Sequence, residues 1–183
     1  PAVAEAALEA GADVINDVSG LEDPDMRYIA GDHDVPVVLM HSVSTPVDPS
    51  ISVTYDDVVE DVIRELNERI LLAEQAGVDR ENVIVDPGIG FGKSPAENFE
   101  LVDRLHELTA LGCPVLVGHS HKSLFGPLGY DDGNRSVPTT AMSALAAERG
   151  ASILRVHDVA ENLAAVRTAN AVRSGGSGVE GTA

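Results

Sequence analysis

The stretch from Asp86 to Asn98, DPGIGFGKSPAEN, sets one carboxylate and one lysine around three glycines. The apolar run Val83–Val85 precedes it. After it, Ser94-Pro95-Ala96-Glu97 supplies an N-cap, a proline in the first turn and the glutamate of a capping box. The segment reads as strand, loop and helix, with Asp86 at the strand's C-terminal end. The chain holds only two lysines, Lys93 and Lys122, and both lie in glycine-bearing loops just before a helical start. Helix N-termini present free N–H groups and partial positive charge, so such loops suit anions. GIGFGKS lacks the spacing of a Walker A loop, and GIGFG misses the dinucleotide fingerprint. Glycines at 88, 90 and 92 instead predict a close approach of backbone to a flat ligand.

The same grammar repeats along the chain. Apolar runs at Val14–Ile15, Val35–Met40, Val83–Val85, Pro114–Val117 and Ile153–Val156 are rich in Val, Ile and Leu and mostly continuous. Strands buried on both faces of a parallel sheet read that way. A helix is predicted from Tyr55 to Ala76, with a stripe at Val58, Val59, Val62, Ile63, Leu66, Ile70 and Ala73 and a stop at Gly77. Others fit Ser94 to about Leu111, Val137–Arg149 and Ala160–Arg173, and the N-terminus looks like a helix already under way. The tail from 174 to 183 is predicted to be disordered, leaving 1–173 as one domain. Strands alternating with helices give an α/β fold with right-handed crossovers. It is either an open doubly wound sheet or part of an eight-stranded barrel.

Each apolar run ends in polar chemistry: Asn16 and Asp17, His41, Asp86, Gly118 through Lys122, and Arg155 with His157 and Asp158. A (β/α)8 barrel brings such ends together on one face, whereas an open sheet has one switch point. Each residue alone has a plainer role. Asp86 before proline can form a turn, His41 and His157 can be packing histidines, Asn16 a strand-end cap, Arg155 a partner for a helix carboxylate. The plain readings must all hold at five strands at once, and that favours the barrel.

Thirty Asp and Glu against twelve Lys and Arg give a formal charge of −18. That disfavours nucleic acid and anionic membranes as partners. Few lysines, many acids and three phenylalanines predict adaptation to high salt, where self-repulsion is screened. Cys113 is the single cysteine, so neither an internal disulfide nor a cysteine-rich zinc site is available. No apolar run is long enough for a membrane span and no signal peptide is recognisable, which predicts a cytoplasmic protein.

GADVINDVSG, PVVLMHS, VIVDPGIGFGKSPAENFELV, PVLVGHSHKSLFG and ASILRVHDVAE, in this order, resemble the dihydropteroate synthases of the pterin-binding TIM-barrel group. The resemblance covers nearly everything up to the tail. It implies a transferase of folate biosynthesis that joins 4-aminobenzoate to 6-hydroxymethyl-7,8-dihydropterin diphosphate and releases diphosphate. By resemblance, Asn16 and Asp86 bond the pterin ring and Lys122 contacts it. Met40, Gly90 and Phe91 line its pocket, Arg155 and His157 take the diphosphate, and Ser120 lies near the aminobenzoate. Asp86, Lys122, Arg155 and His157 are the residues expected to carry catalysis.

The chemistry of those residues agrees with the resemblance. A pterin edge offers an amino group beside a ring N–H, which one carboxylate can accept together. Cations near the leaving diphosphate stabilise the charge that develops there. Magnesium is expected to ride on diphosphate oxygens, with no protein metal ligands.

Two departures stand out. The family's Ser-Arg-Lys-Ser is here Ser120-His121-Lys122-Ser123. The chain also opens where the family's third barrel helix should be, so about five C-terminal βα units are expected without the first three strands. It reads as the C-terminal part of a longer protein, inactive by itself, fused upstream to another folate-pathway domain and pairing as a homodimer. The competing readings are a pterin-dependent methyltransferase and a non-catalytic pterin-binding module.

Overall fold

The computed structural model describes residues 1–46, 48, 50, 51 and 53–176. Among these residues five strands alternate with helices: β1 (Ile15–Asp17), β2 (Val37–Met40), β3 (Val83–Asp86), β4 (Leu116–Val117) and β5 (Ile153–Leu154). The helices are α1 (Ala2–Glu9), α2 (Pro24–His33), α3 (Val58–Gln75), α4 (Pro95–Asp103), α5 (Ser136–Glu148) and α6 (Val159–Arg173). Every strand pairing is parallel. The pairs run β1–β2–β3 and β4–β5, and a Val85–Val115 bridge joins the two sets. Strand order therefore follows chain order without reversal. A doubly wound sheet reverses at its switch point; a barrel wall does not, so the barrel reading is the one the topology fits.

Ile15, Val37, Leu39, Val83, Val85, Val115 and Val117 face the helices and pack on Val59, Val62, Leu66, Ile70, Leu101 and Leu105 in one core. The alternate positions, Val38, Met40 and Leu116, are also buried but lie outside that cluster, on the opposite face of the sheet. Both faces of β2 are covered, as the continuous apolar runs predicted. The two flanking strands differ. Asn16 in β1 and Ile153 in β5 are exposed, because β1 pairs only with β2 and β5 only with β4.

Local chemistry sets the helix limits. Asp57 caps α3 by accepting from the Val59 and Glu60 N–H groups, so the helix starts at Val58 and not at Tyr55. The Ser94–Glu97 capping box forms with both bonds present. The helix it starts ends at Asp103, and Leu105–Leu111 continues as 3-10 turns that bury Leu105, Leu108 and Leu111. α2 has no counterpart in the sequence reading. Its apolar stripe is short, and only Ala30 is buried. Of the tail, Ser174–Gly176 form a turn and 177–183 lie outside the described residues.

Candidate active site

Three left-handed glycines shape the loop after β3: Gly88, Gly90 and Gly92, at φ of 69°, 79° and 76°. A Cβ on Gly88 would lie 1.8 Å from the His41 carbonyl oxygen, and one on Gly92 would lie 2.5 Å from Val43 Cβ. These two glycines let the loop press on the segment leaving β2, so protein and not ligand is what approaches them. Gly90 lies instead against the Lys122 side chain, where a Cβ would sit 3.1 Å from Cδ.

Lys93 does not reach toward an anion. It is buried, and its Nζ donates to the carbonyl oxygens of Gly88 (3.0 Å), Phe91 (3.4 Å) and His41 (3.5 Å). Burial lowers its pKa to about 7, against the opposing pull of Asp86, Glu65 and Glu97. Asn98, also buried, accepts from the Gly90 N–H at 2.7 Å and donates to the Lys93 and Ser94 carbonyls. The loop is thus tied from inside by one lysine and one asparagine. The sequence reading gives Asn98 no role, although the residue closes the stretch DPGIGFGKSPAEN.

Asp86 terminates β3 on the inner face of the sheet. Its Oδ1 accepts from the Gly88 N–H at 2.7 Å. Burial raises its pKa to about 6; the Gly88 bond and the charges of Lys93, Lys122 and Arg155 pull the other way. The carboxylate is buried, and the positive charges of Lys93, Lys122 and Arg155 act on it from three different loops or strand ends. The Lys122 Nζ stands 4.2 Å over the Phe91 ring. Burial lowers its pKa too, and Asp86 opposes the shift. Asp86, Gly90, Phe91, Lys122 and Arg155 therefore share one neighbourhood.

Ser120 and His157 meet across β4 and β5: Oγ lies 2.8 Å from Nδ1 and accepts from the His157 backbone N–H at 3.2 Å. Arg155 is exposed, and its side chain makes no hydrogen bond or ion pair among the described residues. Its backbone N–H closes the sheet on Val117 O at 3.1 Å. Met40 pairs in register with Asp86, and Asn16 with Val38. Alternation along a strand puts Asn16, Met40 and Asp86 on the same face. Asn16 nevertheless stands apart, exposed in a cleft of about 470 Å³ shared with α1 and Met26. His41 points the other way, toward α3, with Nε2 3.0 Å from Glu65 Oε2. Burial, with the charges of Lys93 and Arg69, lowers its pKa to about 3. It is a packing histidine, the plainer of its two readings.

An inner-face carboxylate under the influence of several positive charges, beside an aromatic and a glycine-shaped loop, suits a flat, polar, heterocyclic ligand that carries an anionic group. The chain belongs to the pterin binding enzyme family, whose profile matches residues 1–157.

Its relatives carry a more particular name. It is 62% identical over 172 residues to a "probable bifunctional folylpolyglutamate synthase/dihydropteroate synthase" of Haloferax volcanii, covering 94% of this chain and 20% of that protein. It is 38% identical to the dihydropteroate synthase of Escherichia coli strain K12, over 95% of this chain and 62% of that one. The crystal structure of dihydropteroate synthase from Anaplasma phagocytophilum with bound 6-hydroxymethylpterin-monophosphate superposes with a TM-score of 0.90 at 37% identity. That match covers 93% of this chain and 68% of the other. The chain thus spans a fifth of the first of these relatives and less than two thirds of the second.

Proposed function

We propose that this chain supplies the C-terminal five βα units of a (β/α)8 dihydropteroate synthase. In this reading 6-hydroxymethyl-7,8-dihydropterin diphosphate binds with its ring edge on Asp86. The ring lies along Met40, Gly90 and Phe91, with Asn16 and Lys122 as further polar contacts. Arg155 and His157 take the diphosphate, and Ser120 borders the aminobenzoate. The observation that carries the proposal is Asp86: a buried inner-face carboxylate with one oxygen on Gly88 N–H and the charges of Lys93, Lys122 and Arg155 acting on it. The amine nitrogen of 4-aminobenzoate attacks the pterin methylene carbon. The C–N bond forms as the C–O bond breaks, and diphosphate departs with the electron pair. The amine proton is lost to solvent. Lys122 and Arg155 lower the barrier by meeting charge as it develops, and the pocket holds the amine in line.

Among the described residues no three His, Cys, Asp or Glu side chains are grouped to hold a metal ion. In this reading magnesium would be carried by the diphosphate oxygens and would take no ligand from this chain. The relatives in Haloferax volcanii and Halobacterium salinarum support an upstream folylpolyglutamate synthase domain in the same polypeptide and a high-salt setting for the −18 charge. A second copy of the chain as partner and a cytoplasmic location complete the reading. An apolar groove between α4 and α5, lined by Phe99, Phe125, Leu128, Val137 and Leu145, supports the second copy. Among the described residues no helix is long and apolar enough to cross a membrane.

The test is turnover by the longer polypeptide. Dihydropteroate and diphosphate should appear in equal amounts. Methyl transfer from a methylated pterin would establish the methyltransferase reading instead. Tight pterin binding with neither reaction would leave a binding module.

A further inference from the structure

Four buried polar side chains behind the site take no part in the scheme above. His119, Thr139, Ser143 and Asn162 are each 2% exposed or less. They lie on the loop after β4, on α5 and on α6, and their hydrogen bonds have one consistent sense. Asn162 Nδ2 donates to the Asp158 carbonyl at 2.6 Å, so its Oδ1 is the acceptor for the Ser143 hydroxyl, also at 2.6 Å. With its proton committed there, the Ser143 oxygen accepts from His119 Nε2 at 2.9 Å. The same nitrogen lies 3.1 Å from the Thr139 carbonyl, which can only accept, so His119 carries its proton on Nε2. Thr139 Oγ1 then takes the His121 N–H at 3.1 Å, and His121 Nε2 meets Asp158 Oδ2 at 2.8 Å. The path returns to the residue where it began.

This ring joins two segments that the sheet leaves loose. β4 and β5 pair over only two residues each, and their ladder ends at the Arg155 N–H to Val117 O bond. Ser120 and Lys122 on one side, and His157 on the other, lie beyond that point. The ring also holds strained backbone. His121 is in the left-handed region at φ 56°, unusual for a residue with a Cβ. Thr139 fixes its N–H, and Arg135 Nη1 donates to its carbonyl at 3.1 Å. Such strain persists only where the surroundings over-determine it. Here it sets the direction in which the next residue, Lys122, leaves the loop.

We propose that His119, Ser143 and Asn162 are positioning residues. They clamp the loop bearing Ser120 and Lys122 to the segment bearing Arg155 and His157, and so set the geometry of the anion-binding end of the site. The proposal rests on the reading that Arg155 and His157 receive a diphosphate. Buried hydrogen bonds in series polarise and fix one another, so losing one link loosens the rest.

The test uses the longer polypeptide in the proposed high-salt setting, with inorganic diphosphate as probe in calorimetry. Ser143→Ala removes one hydroxyl from inside the ring. Asp158→Ala opens the ring at its half-exposed member. Both should weaken diphosphate binding about five- to tenfold while leaving affinity for 6-hydroxymethyl-7,8-dihydropterin, which carries no phosphate, within about twofold. Ser143→Thr, which keeps the hydroxyl, should recover most of the loss. Unchanged diphosphate affinity in both variants, or equal losses for the two ligands, would overturn the clamp. So would a wild-type protein that does not bind diphosphate. Wild-type binding of diphosphate without turnover would defeat the proposed reaction and leave the clamp to be judged on the variants.

Discussion

Lys93 and Asp86 are joined through one residue: Lys93 Nζ donates to the Gly88 carbonyl at 3.0 Å, and the Gly88 N–H donates to Asp86 Oδ1 at 2.7 Å. A buried cation and a buried anion thus grip the two ends of the same peptide neighbourhood. The lysine fixes the loop from below, and its charge helps keep the carboxylate ionised. It does both without reaching the ligand side.

The first prediction concerns pH. Burial places the Asp86 pKa near 6 in the free protein. Only the ionised form can accept from both donors of a pterin edge. Affinity should therefore be level above about pH 6 and fall up to about tenfold per unit below it. Titrations between pH 4.5 and 8 would show the break, and Asp86→Asn should abolish it. A break near pH 4 would mean that the carboxylate is not desolvated.

Replacing Lys93 with Met takes its donor from the His41 and Phe91 carbonyl oxygens, leaves Gly88 O only the Phe91 N–H, and removes a cation near Asp86. The same pH break should move upward, because the remaining cations hold the carboxylate ionised less well. Stability should fall by about 1–3 kcal/mol. An unchanged break with lower stability would show that Lys93 acts on the loop alone.

Two glycines separate backbone strain from collision. Gly112 sits at φ 71° with no atom within 4 Å of an added Cβ, so Gly112→Ala should cost only the conformational penalty, about 1 kcal/mol. Gly88 has a similar φ, but its Cβ would collide with the His41 carbonyl. Gly88→Ala should cost at least about 3 kcal/mol and disturb Asp86, because both residues share the loop. Denaturant melts of the two variants give the comparison, and equal costs would contradict it.

What the sequence made legible follows from the range of the interactions. The Ser94 capping box and the glycine-shaped turn after Asp86 could be read because each rests on neighbours within a few residues. The barrel order could be read because the apolar runs are continuous and their ends are polar. His41 was ambiguous because one step along a strand reverses the face: Met40 turns inward and His41 turns toward Glu65 on α3. The burial of Lys93 was misread because a lysine before a helix suggests an anion, and nothing local shows that three carbonyl groups converge on it. The ring through Thr139, Ser143 and Asn162 spans up to 37 residues per bond, and no pattern in the chain announces it. Asn162 gave the single hint, an amide placed among the apolar positions of α6.

Salt should matter as well. At −18 the folded chain repels itself in dilute buffer, and at about 1 M salt the Debye length shortens to about 3 Å. Circular dichroism melts should rise steadily with salt for this chain, and rise further when the upstream segment is supplied. A sharp melt independent of both would count against the high-salt reading and against the need for further strands.

The central claim is a site with two chemically distinct ends, a carboxylate for the pterin and cations for the diphosphate. The direct measurement is calorimetry of 6-hydroxymethyl-7,8-dihydropterin and of its diphosphate, on wild type, Asp86→Asn and Arg155→Ala. Asp86→Asn should weaken both ligands by about 2–4 kcal/mol, since a donor then faces the donors of the ring edge. Arg155→Ala should weaken only the diphosphate. Wild-type affinity for both ligands in Asp86→Asn would contradict the account at its base.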